Sequence, residues 1–373
     1  MNPIDSNIAK RLMLWTGTTL FSALTVFMAT QALRLAPFFA ASSLSVIQTL
    51  QLIFFFQIPV TGWAITPAFI ISVFAVAGAM SAKGEFTAID SAGISRIRLL
   101  AVPSVFLLFL FTASTFIWIW AAPLSIKRFR SLAQHAALEK IISDLDDRIF
   151  NNPLPGLIFY ADKKESFSQF TGIYIQTAAN NKKIHLFAKS ATLNINPRHK
   201  TLDILLRSGD LFIPGRTAPQ HGQLPDNISA SFKNMTVSIS LDFKVDSQMQ
   251  FIPLQLTKST YELTKQPPAS IKPQIWNFEL WRRVARPFEF LLTGILTLFL
   301  SFFVTWQKRW KAYLAAAALF FWVHILSRGG EVLMQAGHLS GFEGAFLSVS
   351  VTAATVFLIL VTLKTVKSAA GRL

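Results

Sequence analysis

The sequence predicts an α-helical membrane protein with six transmembrane helices, three before and three after an inserted all-β domain. Three observations predict it. Only 14% of the 373 residues are charged and 52% are apolar, whereas a water-solvated domain carries about 25% charged residues. The uncharged residues fall in runs, and a spanning helix needs about 20 mostly apolar residues. Between the third run and the fourth, the hydrophobic period changes from helical spacing to two.

The first span is read from Leu12–Leu33, which holds no charge. Lys10 and Arg11 precede it as they would precede a secretory leader. The apolar run is longer than the roughly 7–15 residues of a leader, so an uncleaved span is expected. The next uncharged run, Leu35–Ala82, is too long for one crossing. Pro37, Pro59 and Pro67 interrupt it, and Ser42, Ser43, Ser45, Gln48 and Gln51 lie in its first half. Residues 37–50 are therefore expected as an interfacial loop or short helix, and 51–81 as a Pro-kinked second span. Leu99–Ser125 supplies the third. Phe290–Gln307, Ala312–Val323 and Ala345–Leu363 supply the fourth, fifth and sixth, the fifth short at about residues 311–327. Arg328–Ser340 is read as the loop that follows it. The expected division is 1–121, 122–280 and 281–373.

Orientation follows from the short loops. With the N-terminus inside, the inner side holds Lys10, Arg11, Lys83, Arg96, Arg98, Lys308, Arg309, Lys311, Lys364, Lys367 and Arg372. The short outer loops hold only Arg34 and Arg328. That asymmetry places both termini in the cytoplasm and the β-domain outside it. The net charge of +16 is thus mostly an orientation signal and points to no nucleic-acid partner.

Within the polar interval, Leu132, Ala136, Leu138, Ile142, Leu145 and Ile149 lie near helical spacing and predict a connecting helix over 122–150, stopped by Asn151-Asn-Pro-Leu-Pro. Strands follow. Ile173 and Ile175, Ile184, Leu186 and Ala188, Leu202, Ile204 and Leu206, and Val237, Ile239, Leu241 and Phe243 alternate with polar or aromatic neighbours, Leu205 breaking the pattern. Asn194-Ile-Asn-Pro, Ser208-Gly-Asp and Pro214-Gly-Arg read as turns. Short strands at this spacing indicate a sandwich, barrel or jelly roll.

The chain lacks the machinery of several enzyme classes. It has no cysteine, so thiolate metal sites and Cys nucleophiles are excluded. No Gly-rich phosphate loop, nucleophile elbow or His-Glu-x-x-His occurs. The six histidines show no ligand spacing; His199 and His221 read as exposed loop residues, and His324, in the fifth span, as a helix–helix hydrogen-bonding residue. No enzyme activity, metal or cofactor is expected.

The loop between the second and third spans reads Lys83-Gly-Glu-Phe-Thr-Ala-Ile-Asp-Ser-Ala-Gly-Ile-Ser-Arg-Ile-Arg98, with Pro103 opening the next span. Glu85 at the start and Arg96 and Arg98 at the end suit a helix dipole. This loop resembles that of the lipopolysaccharide export permeases of the LptF/LptG type. Ile58-Pro59, Thr66-Pro67, Phe150-Asn-Asn-Pro, Phe170-Thr-Gly-Ile-Tyr, Ala188-Lys-Ser-Ala, Leu206-Arg-Ser-Gly-Asp and Glu279-Leu-Trp-Arg-Arg-Val-Ala-Arg-Pro287 agree in order, over essentially the whole chain. The resemblance implies an inner-membrane half-transporter that pairs with a paralogue and sits on a separate ATPase dimer. It implies a coupling helix at about 84–98, with Glu85, Ile89, Gly93 and Arg96 as coupling residues. It also implies a periplasmic β-jelly roll that passes lipopolysaccharide to similar bridge proteins.

Such a cargo carries phosphates and acyl chains. Arg34, Lys127, Arg128 and Arg130 lie at the outer ends of spans and are candidates for phosphate contacts, with snorkelling to ordinary headgroups as the alternative. Arg282, Arg283 and Arg286 are read as structural, and Glu289 as the ion-pair partner of Arg286 one turn earlier. Phe54, Phe55, Phe56, Phe302 and Phe303 are candidates for an acyl-lined cavity or for plain packing. A membrane-anchored scaffold without transport, or a secondary transporter, stays open beside the leading reading.

Overall fold

The computed structural model describes residues 3–40, 46–154, 156–166, 168–179, 182–196, 201–214, 228–240, 253–303 and 309–370. His199, His221, Leu241, Phe243 and the side chains of Arg34 and Phe303 lie outside the described residues. The chain forms two compact units. One comprises Met1–Arg34, Ile53–Phe129 and Pro253–Leu373; the other comprises Leu35–Leu52 and Arg130–Ile252.

Among the described residues, six helical segments are long and apolar enough to cross a membrane: Ile4–Gln31, Ile47–Ala82, Arg96–Ala133, Pro273–Phe302, Trp310–Gln335 and Gly341–Ile359. The helices that carry them are α1 (Pro3–Ala40), α2 (Val46–Ala82), α5 (Ala101–Phe116) with α6 (Ala122–Ser143), α9 (Pro273–Phe303), α10 (Arg309–Gln335) and α11 (Gly341–Ala370). Two short helices, α3 (Glu85–Ser91) and α4 (Arg96–Leu99), join α2 to α5. α2 is the hub of the first unit. Its Phe69, Val73, Phe74 and Ala77 are fully enclosed, and Phe69 meets Phe106 of α5 and Phe290 of α9. Both internal prolines are accommodated within one helix from Val46 to Ala82. Residues 46–50, read from sequence as part of an interfacial segment, belong to that helix; 41–45 lie outside the described residues.

Two further elements run past sequence signals that should have ended them. α10 continues through Arg328-Gly-Gly to Gln335, so the loop before α11 is shorter than expected. Gly330 is needed for a close crossing: a Cβ on it would come within 2.2 Å of the Gly344 carbonyl oxygen on α11, whereas Gly329 faces open space. Between α5 and α6 the helix widens into a π-turn, Ile117–Ala121. Such turns leave a carbonyl outside the regular ladder, and here Thr260 Oγ1 donates to the Ile119 carbonyl at 2.7 Å.

In the second unit the connecting helix α6 ends at Ser143 rather than near 150, and Asn151–Leu154 is a strand rather than only a stop. The strands are β1 (Asn151–Leu154), β2 (Leu157–Lys164), β3 (Gln169–Ala179), β4 (Lys182–Asn196), β5 (Thr201–Ile213) and β6 (Ile228–Ser240). They form one antiparallel sheet in the order β1-β2-β3-β4-β5-β6. Phe159, Ile173, Ile175, Leu186, Leu202, Ile204 and Leu206 face its core, with Ile142 and Leu145. Leu205 points the other way and is 41% exposed.

The Ser208-Gly-Asp signal marks a bend, not a turn. Gly172 on β3 has φ 64 and Ser208 on β5 has φ 50, both left-handed. The register puts them in one row across the sheet, because Ile173 pairs with Ala188 and Ala188 with Gly209. A left-handed residue within a strand resets which face the next side chain takes. The buried positions accordingly change parity across that row, from Ile173 to Phe170 and from Ala188 to Ala191. Only glycine suits the β3 position, since a Cβ there would lie 2.0 Å from Asp162 Oδ2.

Candidate functional site

The four coupling residues read from sequence share one α3–α4 hairpin. Gly84, at φ 71, turns the chain out of α2, and Glu85 begins α3. Phe86 is buried at 3% exposure, its ring 5.8 Å from Phe302 of α9 and 5.4 Å from the Arg96 guanidinium. Ile89 packs against the same cluster. Gly93, at φ 70, closes α3: Ile94 N–H donates to the Ile89 carbonyl and Gly93 N–H to the Asp90 carbonyl. This is the paired capping arrangement that a left-handed residue after a helix produces. Arg96 then folds back, donating to Asp90 through Nε at 3.2 Å and Nη2 at 2.6 Å. That fork holds the Asp90 carboxyl below its ordinary range. Thr87, Ala88, Asp90, Ser91 and Ala92 remain exposed. The hairpin thus has an anchored underside and a free outer surface.

Sequence reasoning missed the partner of Glu85. Arg11 Nη1, on α1, donates to Glu85 Oε1 at 3.2 Å and Oε2 at 3.1 Å. Seventy-four positions separate the two residues, and no local spacing signals the contact.

The basic residues meant for a lipid phosphate are less tightly grouped. Lys127 is exposed and lines a cavity of about 330 Å³ with Ile119, Trp120, Pro123, Thr260 and Tyr261. Glu262 closes it, its carboxyl lowered by the Ser259 backbone N–H it accepts from. Arg128 sits 5.8 Å over the Phe55 ring. Arg130 belongs to the other unit and is half-buried.

Arg283 is structural. It is 2% exposed, donates to Glu279 Oε1 at 3.0 Å, and holds the segment before α9 through the carbonyls of Lys258, Gln255 and Leu256 and through Thr260 Oγ1. Arg282 also pairs with Glu279. Arg286 and Glu289, expected to pair, attract each other but form no close ion pair, and ring contacts hold the guanidinium instead. The Arg286 guanidinium lies 3.4 Å from the centre of the Trp63 ring and 4.6 Å from that of Trp118, an attraction that strengthens without water. Glu289 and His324 line the small cavity beside it. His324 meets the Trp63 ring edge-on and stacks on the Phe320 ring. Of the phenylalanines, Phe302 is fully buried, Phe54 is 64% exposed, and Phe56 packs on Phe27 and Phe129.

A comparison with curated proteins found no match. The sequence profile of the family described as lipopolysaccharide export system permease LptF/LptG matches residues 7–362. The chain belongs to the LptF/LptG family. It is a multi-pass inner-membrane permease of lipopolysaccharide export, a transport protein with an inserted β-domain. The match runs through all six spans and the whole sheet, and it takes in the hairpin, Lys127 and Arg283.

Proposed function

We propose that this LptF/LptG chain is one half of an ATP-driven lipopolysaccharide extractor, paired with a paralogous permease and seated on a separate ATPase dimer. The observation that carries this reading is the α3–α4 hairpin. Its Phe86 is buried against α9 while its outer face is free, as a surface that receives a push and passes it inward should be. Glu85, Ile89, Gly93 and Arg96 serve that coupling: Glu85 presents a carboxylate, Ile89 and Gly93 fix the hairpin, and Arg96 closes it. The proposed orientation puts both termini in the cytoplasm and the β-domain in the periplasm, as the asymmetry of Lys and Arg in the short loops supports.

Arg34, Lys127, Arg128 and Arg130 would meet lipid phosphates at the periplasmic surface, where each can donate charge-assisted hydrogen bonds. The β-domain then hands acyl chains to a bridge of similar jelly rolls. Supporting this, β6 is an edge of the sheet among the described residues, and an edge strand is a template for adding a partner's strand. The test is co-purification. With the protein carrying Glu85→Arg, the ATPase recovered from native membranes should fall at least about tenfold, the equivalent of a lost coupling of about 1.4 kcal/mol. Full recovery together with normal lipopolysaccharide export would refute the coupling assignment.

A further inference from the structure

Glu85 is already engaged within the chain, and its partner lies on the span least held by the rest of the bundle. In the apolar window of α1 only 11% of residues are buried, against 72% for α2. Met13, Leu14, Phe21, Val26 and Leu33 are all more than 60% exposed. Apart from the Arg11–Glu85 pair, the side-chain hydrogen bonds described between α1 and the bundle are Thr16 Oγ1 to Ser72 Oγ at 2.8 Å and Gln57 Nε2 to the Leu24 carbonyl at 2.9 Å. The end near Arg11 is different. Ile8, about one turn before Arg11, and Leu12, next to it, are 3% and 1% exposed and share an apolar cluster with Phe86 and Leu99 of the hairpin.

We infer that Arg11 is a positioning residue, fastening α1 to the α3–α4 hairpin through Glu85 so that α1 follows the hairpin when the ATPase moves it. This rests on the coupling reading above. The apolar cluster holds α1 against the hairpin, but the hydrophobic effect that drives it is non-directional. The ion pair supplies direction: both carboxylate oxygens accept from one Arg11 nitrogen, so α1 is registered to the first turn of α3. Motion of α3 then reaches α1 without passing through α2.

The chain contains no cysteine, so Leu14→Cys on α1 and Thr87→Cys on α3 are its only spin-labelled sites when the partner subunits are supplied in cysteine-free form. Distances are read by pulsed electron resonance on the purified full complex in lipid nanodiscs, nucleotide-free and trapped with vanadate. With Arg11 present, the distance distribution should be narrow and the same in both states. With Arg11→Gln it should broaden and differ between states, while ATPase recovery stays at the level of the unaltered protein. Lipopolysaccharide released per ATP hydrolysed should fall by about fivefold or more, the range of a typical coupling energy. Arg11→Lys, which keeps the charge, should restore most of it. Unchanged distances and unchanged release per ATP in Arg11→Gln, with the ATPase bound, would overturn the inference alone. Absence of any ATPase from the unaltered complex would overturn the coupling reading and the inference with it.

Discussion

Arg283→Ala should loosen the segment that leads into α9. Short helices α7 (Leu254–Thr257) and α8 (Thr260–Leu263) make up most of that segment. In the native protein Arg283 neutralises a buried Glu279 and donates to three backbone carbonyls and a hydroxyl. Removing one member of a buried ion pair typically costs about 3–5 kcal/mol. The lower end applies, because Arg282 keeps its own pair with Glu279 and the freed carbonyls lie in a partly exposed segment that water can reach. Trp276 still pins the segment, its Nε1 donating to the Leu263 carbonyl at 2.8 Å and the Lys265 carbonyl at 3.1 Å. A loss of about 3 kcal/mol confined to local opening raises the open population by roughly two orders of magnitude. Native-state trypsin cleavage at Lys258 and Lys265, on protein in detergent micelles, reads that population directly when reclosing outpaces cleavage. Arg283→Lys keeps the charge and at most one of the carbonyl bonds, so its cleavage should fall between the two. A rate within about fivefold of the unaltered protein for Arg283→Ala, equivalent to about 1 kcal/mol, would refute the assignment of Arg283 as the anchor.

Two further predictions concern the hairpin. Gly93→Val forces a β-branched residue into the left-handed region and should destabilise the α3 cap by about 1–3 kcal/mol; hydrogen exchange at the Gly93 and Ile94 amides should rise while that of α2 stays unchanged. The Asp90–Arg96 fork should persist at neutral pH. Asp90's carboxyl is held below its ordinary value, so the pair's contribution is present above the unfolded carboxyl's pKa and is lost as pH falls through the depressed one. Exchange at the same amides should therefore accelerate only in strongly acidic buffer, and Asp90→Asn should remove that dependence.

What the sequence made legible is what local pattern controls. The uncharged runs located the spans because burial in lipid forbids charge along a whole helix, and period-two alternation located β3, β4 and β5. Ser208-Gly-Asp and Arg328-Gly-Gly misled because glycine and serine carry the same local signal in a turn, a strand bend and a close helix crossing. Which of these forms depends on what lies opposite: the Phe187 carbonyl beside Gly209, and Gly344 beside Gly330. The hairpin's residues were legible as a group because they are contiguous. Arg11, Trp63 and Trp118 were not, since each acts through a residue far away in sequence. Arg286 shows the same limit from the other side: its spacing to Glu289 suggested an ion pair, and two distant aromatic rings took the guanidinium instead.

The central claim is that this LptF/LptG chain moves lipopolysaccharide outward at the expense of ATP hydrolysed by a bound partner. The direct measurement reconstitutes the complex purified from native membranes into lipopolysaccharide-containing vesicles, with a photo-crosslinking residue at Val237 on β6, which packs against the core from the sheet's edge. The account predicts lipopolysaccharide adducts that accumulate with ATP and are absent both with a non-hydrolysable analogue and with Glu85→Arg. Adducts that form equally with and without ATP, or none at all while the partner ATPase hydrolyses ATP, would contradict it.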